Sequence, residues 1–448
     1  MSNFQYDILI LGAGPGGIEA ALQAAKARLK VALISNAKIG GRATFGSLVP
    51  SKVWLTAAEK MDTFRHVEDF ALKTTTPTFE IKHLGQKIQQ QSGAASDRYQ
   101  LALQQAGVEI IHGKGWIVEQ NLVHIKDEQE QIIKGLTTRY IMIATGSEPR
   151  FLPELKPNGQ RIIAPRLAAG LKELPKNLIM AGGGVTGTEY AYALAALGAQ
   201  VTILQNSEHL LPRVDTEISE AFAKYLTQHY NIIIQKSDPV ALMHQEGERV
   251  IAATVSGKKY EADYGFIAIG RSPDLSFFDP EKYPIKLEGK AIAINNRCQT
   301  SIPNIYAIGD ATGVPMMANR STMQARVAVR HIAQGEKSDL FVSPIIEAVY
   351  TQPQVAQIGD MTASGRSDFI VKPMNNLLKT NLLGKASGLL KIKVNKASNR
   401  IEGAAGFGIY MTEILSAIQV AMNAGLPYDS LSTIPLAHPS LAELLTIY

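Results

Sequence analysis

The chain has 448 residues, of which 46% are hydrophobic and 19% are charged, and its formal net charge is +5 at pH 7. This composition is ordinary for a globular protein of about two to four domains, and the absence of dense Lys/Arg runs argues against nucleic-acid binding. The single cysteine, Cys298, excludes any intramolecular disulfide. The sequence has neither an apolar stretch long enough to span a membrane nor a signal peptide, so we expect a cytoplasmic protein.

The N-terminal region reads as a strand, a glycine turn, a helix and a second strand. We predict these elements over residues 7–11, 12–17, 18–28 and 30–34. Gly12, Gly14 and Gly17 have the spacing of a dinucleotide-binding turn, in which they allow the tight turn, the approach to a pyrophosphate and close helix–strand packing. The phosphates would meet free N–H groups at the positive end of the helix.

A second unit repeats the first after a mostly helical stretch over 51–107, interrupted around 74–78, and strands over 108–111 and 140–144. A linker over 148–157 separates the units. The predicted elements are a strand over 177–181, a turn with Gly182, Gly184 and Gly187, a helix over 188–197 and a strand over 200–204. One such turn is a weak signal, but two in full βαβ context are a strong one. Two nucleotide sites in one chain suggest that hydride passes between two cofactors.

A further set of predicted elements begins at about Asp274, after the second dinucleotide-binding unit. A strand over 305–308 ends in Gly309-Asp310, and a helix begins near residue 321. From about Phe341 we expect a separate domain with a strand over 389–394 and a helix over 412–423. The segment is rich in apolar residues around Ile414, Leu415 and Ile418, and this is one reason to expect a homodimer.

The residues that follow the second strand of each unit are neutral. Dinucleotide sites commonly place a carboxylate there for the ribose hydroxyls. Here Ser35 and Asn36 end the first strand, while Gln205 and Asn206 end the second. These side chains still offer hydrogen bonds to a ribose, although weaker ones than a carboxylate offers. No Arg lies beside Gln205 to meet a 2′-phosphate, so the choice between NADH and NADPH stays open.

Further motifs extend along the whole chain. They are Gly40-Gly41 with Pro50-Ser51-Lys52, Ala144-Thr145-Gly146-Ser147-Glu148-Pro149, Ala268-Ile269-Gly270-Arg271-Ser272-Pro273, the run from Thr300 to Asp310, and His438-Pro439-Ser440-Leu441-Ala442-Glu443. In order and spacing, this set resembles the flavin-dependent pyridine nucleotide–disulfide oxidoreductases, the family of dihydrolipoamide dehydrogenase.

The resemblance implies an α/β fold with two Rossmann-like dinucleotide-binding domains and a C-terminal α+β dimerisation domain. The FAD-binding domain would comprise residues 1–150 and 274–340, the NAD(P)-binding domain 151–273 and the interface domain 341–448. It also implies non-covalent FAD, a nicotinamide cofactor (NADH or NADPH) and a homodimer. The predicted cofactor-binding residues are Gly12, Gly14, Gly17, Ser35, Gly41, Lys52, Thr145, Gly146, Gly182, Gly184, Val185, Gly187, Gln205, Gly270 and Asp310, and no metal site is predicted.

The same resemblance assigns roles near the flavin. Lys52 and Glu189 would form an ion pair beside the flavin N5, unless Glu189 only caps its helix at the surface. Val185 would occupy the position where the nicotinamide enters, or merely pack within the turn. His438 and Glu443 would reach the partner subunit's flavin, where His438 serves either as a proton donor or as a structural hydrogen-bonding partner.

The chain departs from the family pattern at the redox-active cysteines, and this determines which electron-transfer chemistry is possible. The family places two cysteines between the Gly-Gly and Pro-Ser-Lys motifs, and this chain has Ala43 and Leu48 at those positions. A thiol–disulfide relay needs both an attacking and a resolving thiol, so dithiol chemistry is excluded. The family's second C-terminal histidine is also missing, with Leu436 in its place.

We therefore interpret the chain as an FAD-dependent NAD(P)H oxidoreductase that passes electrons from flavin directly to a small non-disulfide acceptor, in the manner of a diaphorase or quinone reductase. An apolar pocket made by Ala43, Phe45 and Leu48 would suit a flat quinone. Two alternatives stay open: a soluble pyridine nucleotide transhydrogenase, and a non-catalytic flavoprotein serving as a redox sensor or assembly subunit.

Overall fold

The computed structural model describes residues 4–75, 77–335 and 343–446. They divide into two compact units, each assembled from three chain segments. The first comprises Met1–Pro50, Lys87–Arg150 and Arg271–Val342, and the second comprises Ser51–Gln86, Phe151–Gly270 and Ser343–Tyr448. The expected boundary at Phe341 lies outside the described residues.

One segment falls in a different unit from the one expected. Residues 51–86 were assigned to the FAD-binding domain, but they cluster with the second unit. The side chains explain this placement, because Lys52 pairs with Glu189 and Asp62 accepts a hydrogen bond from Tyr230.

The first unit is built on a parallel sheet. Its parallel strands, in spatial order, are Glu109–His112, Val31–Ser35, Tyr6–Leu11, Ile132–Ile143 and Ile305–Ala307. Strands Lys114–Glu119 and Leu122–Lys126 continue the sheet in antiparallel fashion from the start of Ile132–Ile143. Alternate residues of each central strand enter different cores, as Ile8 and Leu9 do on opposite faces. The unit also has short strands Ser147–Pro149, Arg271–Pro273, Leu287–Glu288 and Ala291–Ile292.

The helices of this unit begin and end where the local backbone dictates. The first spans Pro15–Lys26, three residues earlier at its start than expected, because Gly14 is its N-cap and proline suits the first turn. It ends before Arg28, which has a φ of +62°. Helix Ala318–Gln334 packs on the same core. A short helix, Gly41–Gly46, was not expected. Helices Leu48–Arg65 and Ile81–Gln105 each contain residues assigned to both units.

The second unit contains a parallel five-stranded sheet. In spatial order its strands are Ile232–Gln235, Gln200–Leu204, Asn177–Ala181, Tyr264–Ile267 and Ile162–Ile163. Helices Val185–Ala196 and Thr216–His229 connect its strands. A separate antiparallel sheet of Val240–Glu246, Arg249–Thr254 and Lys259–Ala262 was not expected from the sequence.

The C-terminal part of the second unit is an antiparallel sheet with a helix on it. The strands run in the order Glu347–Val349, Gln354–Gly359, Ile401–Gly408, Leu389–Asn395 and Ser367–Pro373, and the main helix spans Met411–Asn423. Ile414, Leu415 and Ile418 fill the core beneath this helix. This domain's own sheet covers that face, so these three residues do not by themselves indicate a subunit interface.

Shorter elements complete the described chain. The remaining α-helices are Leu378–Leu382 and Tyr428–Leu431, and the 3₁₀ helices include Val67–Phe70, Pro165–Gly170, Gly309–Thr312, Met374–Asn376 and Ala442–Leu445. Within the described ranges, no helix has both the length and the apolarity to cross a membrane.

Candidate functional site

In the first glycine turn, a side chain would clash at Gly12 and Gly17 but not at Gly14, the position that approaches the pyrophosphate in such turns. Gly12 has a φ of +110°, and a Cβ there would collide with the Ala144 carbonyl oxygen. A Cβ on Gly17 would collide with the Gly12 carbonyl oxygen, so this position needs glycine for close helix–strand packing. At Gly14, by contrast, a Cβ would meet no protein atom within 4 Å. The open space faces a helix start whose N-cap makes no side-chain hydrogen bond, and this arrangement fits a pyrophosphate.

Three predicted segments come together at one sheet edge. Leu11 pairs with Ile143, which pairs with Ala307 in the next parallel strand. The glycine turn, Thr145-Gly146 and Gly309-Asp310 follow these strands, so all three lie at the carboxyl edge, where ligands bind in open α/β sheets. These residues therefore fit the FAD that the motifs imply.

The Asp310 carboxylate is held in a polar cluster. Ser147 Oγ donates a hydrogen bond of 2.5 Å to Asp310 Oδ2, and Arg271 Nε donates to Ser147 Oγ at 2.7 Å. Arg271 Nε lies 3.8 Å from the same carboxylate oxygen. Burial lowers the pKa of Arg271, and the Asp310 charge opposes that shift. Ser147 and Arg271 belonged to quoted motifs, but sequence reasoning gave them no role.

Other predicted residues of this site are held by local backbone geometry. Thr145 Oγ1 donates to the Asp274 carbonyl at 2.8 Å, and Gly146 has a φ of +78°. Gly41 has a φ of +57°, and a Cβ there would lie 3.2 Å from Gly14 Cα. The Ser35 side chain is buried, and its Oγ donates to the Ala37 carbonyl and accepts from the Ala37 N–H.

Arg42 anchors helix Gly41–Gly46, which contains Ala43, one of the two positions where the family has a cysteine. Its guanidinium donates to the Ser147 carbonyl at 2.9 Å and to Asp274 Oδ2 at 3.0 Å, and it pairs with Glu148 at 2.5 Å. Burial alone would raise the pKa of Asp274, but hydrogen bonds from Ser276 and Arg42 bring it below its usual value. Arg42 had no role in the sequence interpretation, since its partners lie far away along the chain.

No thiol is available at the disulfide positions. Ala43 and Phe45 are half-buried in helix Gly41–Gly46, and the Leu48 side chain is exposed at the start of the next helix. Cys298 lies in the core of the first unit, with its Sγ 3.7 Å from the Gln324 carbonyl. Burial raises the pKa of the Cys298 thiol to about 12, so it stays protonated and unreactive at neutral pH.

The second glycine turn has the same geometry as the first. Gly182 has a φ of +102° and faces the Ala268 carbonyl, Gly187 packs against Gly182, and a Cβ on Gly184 would meet no protein atom within 4 Å. Val185 is the first residue of the following helix and is half-buried. The turn therefore fits a second dinucleotide pyrophosphate.

Gly270 also lies at this sheet edge. It follows strand Tyr264–Ile267, the parallel neighbour of Asn177–Ala181, and has a φ of +109°. A Cβ there would meet no protein atom within 4 Å. Space near Gly270 is thus open, as the predicted cofactor-binding role requires.

Gln205 is fully engaged with the protein. Its Oε1 accepts from the N–H groups of Gly183 at 3.0 Å and Asn206 at 3.2 Å. Its Nε2 donates to Ser207 Oγ at 3.3 Å and to the His209 carbonyl at 3.2 Å. The buried side chain therefore braces the turn and has no hydrogen-bonding group left for a ribose in this conformation.

The Lys52–Glu189 ion pair is formed within the second unit. Lys52 Nζ lies 2.7 Å from Glu189 Oε1, and the Glu189 side chain is only 4% exposed. The same oxygen accepts the Tyr350 N–H at 3.0 Å, and Lys52 Nζ lies 4.3 Å from the centre of the Tyr350 ring. Glu189 is not a surface cap, because the N-cap of its helix is Gly184. Tyr350 adds a cation–π contact that the sequence did not reveal.

His438 and Glu443 also pair. His438 Nδ1 lies 2.7 Å from Glu443 Oε1, and the Ser440 N–H donates to Glu443 Oε2 at 2.7 Å. These hydrogen bonds, from Ser440 and then from His438, lower the pKa of Glu443. The His438 side chain is 65% exposed. In the part of the chain that the structure describes, no group of three or more His, Cys, Asp or Glu side chains is placed to hold a metal ion.

Comparisons with known proteins agree with this geometry. The family described as pyridine nucleotide-disulphide oxidoreductase matches residues 6–331, and the dimerisation domain of that family matches residues 345–447. Dihydrolipoyl dehydrogenase from Chlorobaculum parvum is 30% identical over 457 residues, covering 99% of this chain and 96% of that protein. The protein of the same name from Chlamydia trachomatis is 30% identical over 451 residues, with the same coverage of 99% and 96%.

Solved structures are also similar over the full chain. LpdA from Mycobacterium tuberculosis superposes with a TM-score of 0.91 at 25% identity, covering 98% of each chain. RclA from Escherichia coli, an HOCl-induced flavoprotein disulfide reductase, superposes with a TM-score of 0.85 at 25% identity and the same coverage. The predicted α/β architecture with a C-terminal dimerisation domain is confirmed. The chain belongs to the pyridine nucleotide–disulphide oxidoreductase family, in which FAD and NAD(H) are the cofactors.

Proposed function

We propose that this protein is an NAD(P)H:acceptor oxidoreductase whose electrons leave directly from FAD to a non-disulfide acceptor. The observation that carries the proposal is the replacement of both family cysteines by Ala43 and Leu48, with Cys298 buried in a separate core. Bound FAD would supply the chemistry, accepting hydride from the nicotinamide and releasing electrons to the acceptor. The two glycine turns, each with open space for a pyrophosphate, support the presence of both cofactors.

The acceptor would be a flat, largely apolar molecule such as a quinone. A disulfide substrate needs a thiolate to attack it. Ala43 and Leu48, at the family's cysteine positions, carry only a methyl and an isobutyl side chain. Ala43 and Phe45 are half-buried and Leu48 is exposed, so apolar surface is available around the lost disulfide. Apolar walls favour a quinone over a charged disulfide.

Lys52 would keep a positive charge near the flavin, the position that the family resemblance implies. Glu189 and the Tyr350 ring hold its ammonium group in place. A fixed cation favours the build-up of negative charge when hydride is accepted.

His438 would supply the proton that a reduced quinone needs. Glu443 accepts from one ring nitrogen and thereby orients the imidazole. Histidine is the side chain that most often serves as a general acid or base in enzymes. This role also needs the homodimer, because the resemblance implies that His438 reaches the partner subunit's flavin.

An acceptor screen tests the proposal. Purified FAD-loaded protein is assayed with NADH and NADPH against a benzoquinone, a naphthoquinone, ferricyanide, lipoamide and glutathione disulfide. We expect turnover with quinones and no disulfide reduction above the free-flavin background. Cys298→Ser is the matched control and should behave as the wild type does. Robust lipoamide reduction that Cys298→Ser abolishes would refute the proposal, and reaction with neither nicotinamide would favour a non-catalytic flavoprotein.

A further inference from the structure

The edge of the second dinucleotide site is shaped by a segment about thirty residues away in the chain. Gln205 N–H donates to the Gln235 carbonyl at 2.8 Å, continuing the parallel pairing of the two strands. Beyond the strand ends, Asp238 N–H donates to the Gln205 carbonyl and Ser237 N–H to the Ser207 carbonyl, each at 3.1 Å. Residues 205–207 and 236–238 therefore run side by side where a Rossmann fold holds the adenosine ribose.

Near this edge, the basic side chains of Lys236 and His209 both contact the carboxylate of Glu220. Lys236 Nζ lies 2.7 Å from both oxygens of Glu220, and His209 Nδ1 lies 2.6 Å from Glu220 Oε1. The hydrogen bonds from Lys236 and then His209 lower the pKa of Glu220, which keeps it charged and able to hold both partners. His209 also connects directly to the turn, because its carbonyl accepts from Gln205 Nε2.

The carboxylates of this region are mostly neutralised or directed elsewhere. Asp238 accepts hydrogen bonds from the Ser256 N–H and hydroxyl groups. Glu220 is matched by Lys236 and His209. Glu208 is the exposed carboxylate of the loop. At position 205, where a carboxylate would repel a 2′-phosphate, the side chain is neutral and saturated by the protein.

We propose that this edge admits the 2′-phosphate of NADPH, with Lys236 as its cationic partner, so that the protein accepts NADPH as well as NADH. Discrimination against NADPH in Rossmann folds comes from a carboxylate on the ribose, and acceptance comes from a nearby cation. Here position 205 carries no carboxylate, and the cation is Lys236, which follows the neighbouring strand and lies on Glu220. The inference rests on the proposed function in taking the second glycine turn as the nicotinamide site.

Binding of adenosine fragments tests this inference without any turnover. FAD-loaded protein is titrated calorimetrically with 5′-AMP and with 2′,5′-ADP, which differ only in the 2′-phosphate. We expect 2′,5′-ADP to bind at least as tightly as 5′-AMP. In Lys236→Gln, 2′,5′-ADP should bind roughly fivefold more weakly while 5′-AMP changes less than about twofold, the effect of losing one exposed charge pair. Lys259→Gln, which removes an exposed charge from another sheet of the same unit, should change neither.

Other outcomes overturn the inference in distinguishable ways. Wild-type binding of 2′,5′-ADP about tenfold or more weaker than that of 5′-AMP would show that the site rejects the phosphate. If Glu208→Gln then relieved the rejection, Glu208 would be the discriminating carboxylate. Equal effects of Lys236→Gln on both fragments would remove the assigned role of Lys236. In these cases the proposed function stands, whereas failure of both fragments and of NADH to bind would overturn it together with the inference.

Discussion

Glu189 forms a buried ion pair whose presence is not explained by its contribution to folding stability. Its side chain is almost fully buried, and one oxygen receives both the Lys52 ammonium and the Tyr350 N–H. Burying an ion pair gains little stability, because desolvation offsets much of the attraction. Retention of this pair in a chain without the redox cysteines therefore favours a role in flavin chemistry.

Replacing Lys52 by methionine separates charge from packing. We expect Lys52→Met to fold and to bind FAD, but to be reduced by nicotinamide at least roughly tenfold more slowly, which is about 1.4 kcal/mol on the barrier. Stopped-flow loss of flavin absorbance measures this rate. Lys60→Met, an exposed position on the same helix, is the matched control and should react at the wild-type rate. Equal rates in both variants would make the pair purely structural.

Cys298 should be chemically silent in the folded protein. Its pKa is raised to about 12 by burial, so the thiol stays neutral at pH 8, and its core location blocks access. We expect no carbamidomethylation by iodoacetamide at pH 8 in native protein and complete modification in denaturant, read by mass spectrometry. Rapid modification of the native protein would show that the thiol is accessible and would reopen its role in redox chemistry.

At the level of elements, the sequence predicted helices and strands that have a local signal, but not which distant segments of the chain lie next to each other. Both βαβ units followed from the sequence, because the glycine spacing and the buried strands lie within short windows. The proximity of Lys236 to Gln205 could not be predicted, since a parallel strand pairing brings it there. Strand Ile132–Ile143 was expected only in part, because its exposed first half lacks a clear apolar alternation. Helix Gly41–Gly46 is too short for a periodic signal.

The two glycine turns predict a matched pair of variants. A Cβ at Gly14 or Gly184 meets no protein atom within 4 Å, so alanine there should leave the folded apoprotein nearly as stable as wild type. The same methyl group would take the space of a phosphate. We expect Gly14→Ala to lose FAD, and Gly184→Ala to keep FAD but lose reduction by NADH and NADPH. Flavin absorbance per protein, apoprotein melting and stopped-flow reduction are the measurements.

A third variant shows whether this pair reports on the cofactors or on the fold. Gly17→Ala would force its Cβ against the Gly12 carbonyl and should destabilise the apoprotein itself. If Gly14→Ala lowered the melting temperature as much as Gly17→Ala does, the open space at Gly14 would not be a cofactor site.

At the scale of the whole molecule, we expect a homodimer. The family's dimerisation domain matches residues 345–447, and the C-terminal part of the chain exposes Leu378, Leu382 and Val420. The sequence did not distinguish core from interface here, since an amphipathic pattern predicts that a face is covered but not which surface covers it. Ile414, Leu415 and Ile418 turned out to be core. Sedimentation equilibrium should give twice the chain mass of 48.5 kDa at micromolar concentration, and a monomer there would remove the route of His438 to a partner's flavin.

The most direct test of the central claim is an anaerobic reductive titration of the FAD-loaded protein, followed by absorbance. Without a disulfide, each flavin should reach full reduction with two electrons, and no long-wavelength charge-transfer band between thiolate and flavin should form, because no thiolate is present. A family member with an intact disulfide would take up two further electrons and show that band. An uptake of four electrons per flavin, or a charge-transfer band that Cys298→Ser abolishes, would contradict direct electron transfer from the flavin.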